Sequence, residues 1–180
     1  MLAKPAGGES VVELRIENIA LLFDPLDPFP TPSRDLSRTT EDFIVGWARE
    51  LPRGAQIRLV LHVSTLGQHD ASELQTAFSN HFRQRERGLK GDISELFRVG
   101  RTSLMIGLAT LTVCVLLGQA ASILLGPGSA SRILSEGLII LGWVANWRPL
   151  EIFLYDWWPL AQRRRLFRRL SDAPVEVRTD

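Results

Sequence analysis

From Thr102 to Ser131 the chain runs for 30 residues without one Asp, Glu, Lys or Arg. Within that run, Ser103 to Leu125 (SLMIGLATLTVCVLLGQAASILL) forms a 23-residue apolar block. At about 1.5 Å of rise per residue, about 20 helical residues cross the roughly 30 Å hydrocarbon layer of a bilayer. A core helix of a soluble protein seldom runs so long without a polar face. The block is therefore expected to be a membrane span. The sequence GPGSAS that follows it (126–131) stops a helix and permits a tight reversal.

Charge elsewhere supports that division. The chain has 21 Lys+Arg and 20 Asp+Glu, yet residues 102–147 contain only Arg132 and Glu136. A polar protein with an apolar block set inside it is neither one uniform globular core nor a disordered chain. A second apolar run begins at Ile133 (ILSEGLIILGWVANW) and passes through Arg148 and Pro149 into LEIFLYDWW. Residues 133–155 are read as a second span, with a re-entrant or interfacial segment bent at Pro149 as the other reading. Ser103, Gly107, Thr110, Cys114, Gly118 and Ala121 in the first span, and Ser135, Gly142 and Ala145 in the second, draw stripes of small residues that let two helices approach. Six basic residues lie between Arg83 and Arg101, and Arg163, Arg164, Arg165, Arg168 and Arg169 follow the second span. The connecting loop holds Arg132 alone. By the positive-inside rule both termini are cytoplasmic, with the aromatics from Trp143 to Trp158 near that interface. No secretory signal is evident, and the lone Cys114 excludes an intramolecular disulfide.

The polar part has the patterning of a small α/β domain. Residues 11–17 (VVELRIE) and 56–63 (QIRLVLHV) alternate as strands do. Between them, Ser37 or Thr39 can cap a helix whose apolar stripe is read as Leu36, Phe43, Trp47 and Leu51. A second helix starts at Asp70-Ala71-Ser72-Glu73 and is expected to be interrupted at Gly88 and Gly91. Alternation returns at residues 174–178, where a third strand is possible. The expected fold class is thus a membrane protein: an α-helical transmembrane hairpin plus a small cytoplasmic α/β domain. Its parts are a flexible start (1–8), the α/β domain (9–90), a juxtamembrane connector (91–101), the first span (102–125) and an external loop (126–132). The second span (133–155), a basic amphipathic helix (156–171) and a tail or added strand (172–180) complete it.

Candidate chemistry is sparse. Asp24 and Asp27, three apart in DPLDP, could share a cation or acid/base work, but Asp-Pro is also a common turn opener. His62, His69 and His81 lack the spacing of a metal site, so neither metal nor cofactor is expected. Arg148, Glu151 and Asp156, beside Asn146, are ionisable residues at membrane depth, where an interaction or ion-pair role is the default reading. Arg148 and Glu151 at i,i+3 share a helical face. The five arginines 163, 164, 165, 168 and 169, set among Leu160, Leu166, Phe167 and Leu170, suit contact with anionic lipid on the cytoplasmic side. A net charge of +1 and the lack of any reading motif argue against a nucleic-acid partner.

GWVANWRPLEIFLYDWWPL (142–160), and more weakly LLFDPLDPFP (21–30), resembles a family of small, uncharacterised bacterial inner-membrane proteins with a soluble N-terminal part and two spans. The resemblance implies a bacterial inner-membrane location and transfers no catalytic residues. The expected function is that of a membrane-anchored interaction or regulatory protein with a protein partner or a second copy of itself. A membrane-associated enzyme or transporter accessory subunit is the alternative.

Overall fold

Alternating strands and amphipathic helices in this order build a three-stranded parallel sheet in the computed structural model, which describes residues 9–52, 54–64, 70–126 and 128–179. The chain divides into two compact units. One takes in the chain up to Leu89 and again from Gln162; the other is Lys90–Ala161.

In the first unit, β1 (Glu9–Ile16), β2 (Gln56–Val63) and β3 (Val175–Thr179) pair in the order β1-β2-β3, all parallel. The alternation seen at 174–178 thus becomes a real strand on the free edge of β2. Register sets Val12 beside Leu59 and Leu14 beside Leu61, with Val175 and Val177 opposite those two β2 leucines. That face joins the residues buried by α1 (Arg38–Glu50), by the start of α2 (Ala71–Leu125) and by α5 (Trp157–Ser171): Ile44, Ala48, Leu74, Phe78, Phe82, Phe167 and Leu170. Phe82 and Phe167 stack with ring centroids 6.1 Å apart. The opposite face alternates in charge, with Glu13 and Glu176 in one row and Arg15, His62 and Arg178 in the next. Gln75 fixes the entry to β3: its Nε2 donates to the Ala173 carbonyl at 3.1 Å, and its Oε1 accepts the Val175 N–H at 2.6 Å.

Ser37 caps α1, accepting the Thr40 N–H at 3.2 Å. The face that α1 buries differs from the expected stripe. Thr40, Glu41, Ile44, Val45 and Ala48 point inward, whereas Phe43 and Trp47 stay 44 % and 39 % exposed. The aromatics attract the eye in sequence, but Ile44 and Ala48 sit one position on from Phe43 and Trp47 and, with Val45, fit the sheet as small and branched groups do.

α2 is one helix of 55 residues, about 80 Å long. The interruption expected at Gly88 and Gly91 is not there, and the stretch 91–101 is helical. Each glycine costs a helix about 1 kcal/mol relative to Ala, too little to break one supported on both sides. The second unit is a hairpin. Gly126, at φ +68°, ends α2, and α3 (Ser129–Ala145) starts within the stretch read as loop. Pro127 lies outside the described residues. α3 gives way at Asn146 to α4 (Trp147–Glu151), a π-helical turn (Ile152–Asp156) and then α5. The stretch read as one second span is therefore segmented. Pro149 falls in the first turn of α4, where its missing N–H matters least.

The small-residue stripes do pack the hairpin. A Cβ added at Gly142 would meet Leu111 Cδ1 at 2.7 Å and Leu111 Cα at 3.0 Å; at Gly118 it would meet Ser135 Oγ at 3.1 Å; at Gly100, Ile152 Cγ2 at 2.9 Å. Both α2 and the helical run Ser129–Ser171 are long and apolar enough to cross a membrane.

Candidate functional site

Three groups of polar residues stand out, and each is settled by its partners. In the hairpin, Asn146 sits 8 % exposed where α3 ends. Its Nδ2 donates to the carbonyl of Gly142 at 2.9 Å and, across the hairpin, to that of Gly107 at 3.1 Å. Oδ1 has no hydrogen-bond partner among the described residues and rests on Gly107, where an added Cβ would lie 2.6 Å from it. Only glycine at 107 admits this contact. The side chain ties the two arms of the hairpin together.

One turn on, Arg148 Nη1 lies 2.9 Å from Glu151 Oε2 and 3.3 Å from Asp156 Oδ2. The i,i+3 pair read from sequence is present, and Asp156 adds a second carboxylate to the same guanidinium. All three remain part-exposed, at 61 %, 44 % and 30 % of their side chains. Around them the π-helical turn buries Ile152 and lays Phe153 on Phe97, ring centroids 5.9 Å apart, with the Trp157 Nε1–H donating to the Phe153 carbonyl at 3.0 Å. Trp143, Trp147, Tyr155 and Trp158 point outward.

The first unit holds a polar cluster that sequence reading missed. Glu41, in the first turn of α1, is buried, and its Oε2 accepts from Arg85 Nε at 2.9 Å and also from Arg85 Nη2. The same oxygen lies 3.3 Å from His81 Nε2. His81 Nδ1 meets Asp35 Oδ1 at 3.1 Å and the Leu36 N–H at 3.3 Å. Both ring nitrogens thus have neighbours within the fold. The cluster clasps the 35–36 segment, α1 and α2 to one another. Its only sequence signal is weak: polar residues at 81 and 85, one turn apart, beside the apolar face of a helix.

The remaining candidates are Asp24, Asp27 and the arginines of α5. Asp24 Oδ1 accepts the Leu26 N–H at 2.9 Å, and Asp27 Oδ1 accepts the Phe29 N–H at 3.0 Å. Asp27 Oδ2 also takes the Asp35 N–H at 2.7 Å. These backbone donors, that of Asp35 first, hold the Asp27 carboxyl below its ordinary value, with Arg34 adding to the effect. Among the described residues no group of three His, Cys, Asp or Glu could hold a metal ion; His69 lies outside them. Of the five arginines on α5, Arg164 pairs with Glu86 at 3.1 Å and Arg169 donates to the carbonyls of Pro52 at 3.1 Å and Ala55 at 2.6 Å. Arg163, Arg165 and Arg168 face outward, Arg163 over the Phe167 ring. Arg169 also borders an open cleft of about 550 Å³ between the starts of β2 and β3, but its guanidinium is already committed to those carbonyls.

No protein-family model, curated protein or solved structure matches the chain.

Proposed function

We propose that the chain is a membrane-anchored interaction or regulatory protein of the bacterial inner membrane, with its α/β unit and both ends on the cytoplasmic side. The observation that carries this reading is the surface of the hairpin. Its closest helix–helix contacts are made at glycines, a serine and one asparagine, while Met105, Ile123, Leu124 and Ile133 are 71 to 84 % exposed. In water so large an apolar surface left uncovered is rare, whereas in hydrocarbon it is the ordinary state of a helical pair. The basic residues before Thr102 and after Asp156 support the orientation, and the outward Arg163, Arg165 and Arg168 suit anionic headgroups.

Interaction is favoured over catalysis because the polar groups are engaged with one another. His81 is held on both nitrogens, Arg148 by two carboxylates, and Asp24 and Asp27 by backbone amides. The test is fractionation with alkaline extraction, together with reporter fusions at both termini and at Gly128. Retention in the extracted membrane, with cytoplasmic signals from both ends and an external signal from Gly128, is the expected result. A cytoplasmic signal from Gly128 overturns the topology, and release at alkaline pH overturns the anchor.

A further inference from the structure

The face of α1 opposite its buried one has an unusual make-up. With about 100° between successive residues, Thr39, Phe43, Gly46 and Glu50 lie near its centre, and Trp47 borders it. Phe43 and Trp47 are half exposed with ring centroids 6.2 Å apart, and a Cβ at Gly46 would find nothing within 4 Å. On the other flank lie Asp42 and Arg49, both exposed, with no ion pair among the described residues. A helix whose two aromatics are turned away from the core, beside a glycine that leaves room for a neighbour, is built to be covered.

We propose that this face docks on the same face of a second copy of the chain, α1 against α1 in antiparallel orientation about a two-fold axis near Gly46. The choice of occupant rests on charge. Arg38, Asp42, Arg49 and Glu50 give the exposed surface both signs in equal number, which suits neither an anionic bilayer nor a nucleic acid but is complementary to itself. Residue numbers that face each other across such an axis sum to about 91. Asp42 therefore meets Arg49 of the second copy, and Arg49 meets its Asp42, while on the opposite flank Phe43 meets the second copy's Trp47. Symmetry keeps like flanks together: the two aromatic pairs interlock on one side and the two ion pairs form on the other. Gly46 sits where the helices cross, the position at which a side chain would hold them apart. Aromatic side chains such as Trp and Phe are the residues enriched where protein interfaces bind most strongly. The proposal deepens the interaction reading by naming one partner and its surface, and it requires no membrane step.

The experiment uses the full-length protein in detergent and in lipid nanodiscs, with mass and self-association measured across concentration. Wild type is expected to dimerise. Asp42→Arg and Arg49→Asp are each expected to weaken the dimer about tenfold or more, because symmetry applies each change twice. The double variant Asp42→Arg/Arg49→Asp restores the pairing and is expected to return to within about threefold of wild type. Trp47→Asp is expected to abolish the dimer while leaving thermal unfolding little changed at concentrations low enough for wild type to be monomeric, since Trp47 is outside the core. In a Cys114→Ser background, Gly46→Cys is expected to form an intermolecular disulfide on mild oxidation. A monomer at all concentrations overturns the proposal, as does a dimer indifferent to Trp47→Asp, a double variant without rescue, or a thiol at position 46 that lipid rather than a second copy shields. A monomer that nevertheless co-purifies with another protein overturns self-docking and leaves the interaction reading standing; release from extracted membranes overturns the anchor and leaves self-docking standing.

Discussion

The two units of this chain are built inside out with respect to each other. In the α/β unit the largest apolar side chains are innermost: Phe78, Phe82, Leu59, Leu61 and Ile44 are 0 to 1 % exposed. In the hairpin, between α2 and α3, the closest contacts are made at Gly107, Gly118, Gly142, Ser135 and Asn146, and most large apolar groups, Met105, Ile123, Leu124 and Ile133 among them, point away; Leu111, Ile152 and the Phe97–Phe153 pair are the large groups that pack inside it. On the proposed placement, the difference follows from what surrounds each unit. Water drives bulk inward, so the first unit gains from size. Where apolar surroundings replace water, size gains nothing at the contact, and closeness of backbone decides.

That contrast breaks most sharply on a large-to-small change. Phe82→Ala is expected to cost the α/β unit about 3 to 5 kcal/mol, whereas Ile123→Ala, at 82 % exposure, should leave the hairpin in detergent nearly unchanged. Equal losses in calorimetric or denaturant unfolding would show that the hairpin buries its large residues after all. The reverse change comes next. Gly142→Leu drives a branched side chain into the backbone of Leu111 and should cost about 3 kcal/mol, while Gly88→Ala, with open space around it, should stabilise α2 by about 0.5 to 1 kcal/mol.

Each unit also holds one buried polar tie, and these should fail in different ways. Glu41→Ala strands the His81 Nε2 and is expected to cost about 1 to 3 kcal/mol. Asn146→Ala removes two bonds to carbonyls in the hairpin and should cost about 1 to 2 kcal/mol. The Arg148–Glu151 pair is a smaller term. Both side chains are more than a third exposed, so Arg148→Ala and Glu151→Ala should each cost less than about 1 kcal/mol. The double variant should cost less than the sum, and strict additivity in a thermal-melt cycle would show that the two do not interact.

The smallest effect is one of pH. Because the folded state holds the Asp27 carboxyl below its ordinary value, its contribution is fully present above that ordinary value and is lost as pH falls through the lowered one. Asp27→Asn should flatten the acid limb of the stability curve in that window alone. A flattened limb at neutral pH would point to another group.

What is legible in the sequence follows from the range over which each signal acts. Period-two alternation marks all three strands, and an unbroken apolar run marks the first arm of the hairpin, because burial on one face, or on all, is written in consecutive residues. The Ser37 cap and the Arg148–Glu151 pair are equally local. The inward face of α1 is not: Phe43 and Trp47 are more hydrophobic than Val45 and Ala48, and nothing local says that smaller residues fit the sheet. The clasp of Asp35, Glu41, His81 and Arg85 escapes notice because its contacting pairs are up to 46 positions apart, and Gln75 because its partners lie near residue 175. The π-helical turn at 152–156 has no composition of its own.

The order of the strands along the chain sets a timetable for synthesis. β1, α1 and β2 can assemble early, but β3, which covers the second edge of β2, is made only after the whole hairpin. At about 5 to 20 residues per second, ribosomal elongation from the end of β2 to β3 takes on the order of ten seconds. Throughout that interval the edge of β2 offers unpaired N–H and C=O groups to any other strand, which is the hazard that nascent sheets present to one another. The hairpin is synthesised while the sheet still lacks its third strand, and that strand is the last element of the chain to be made.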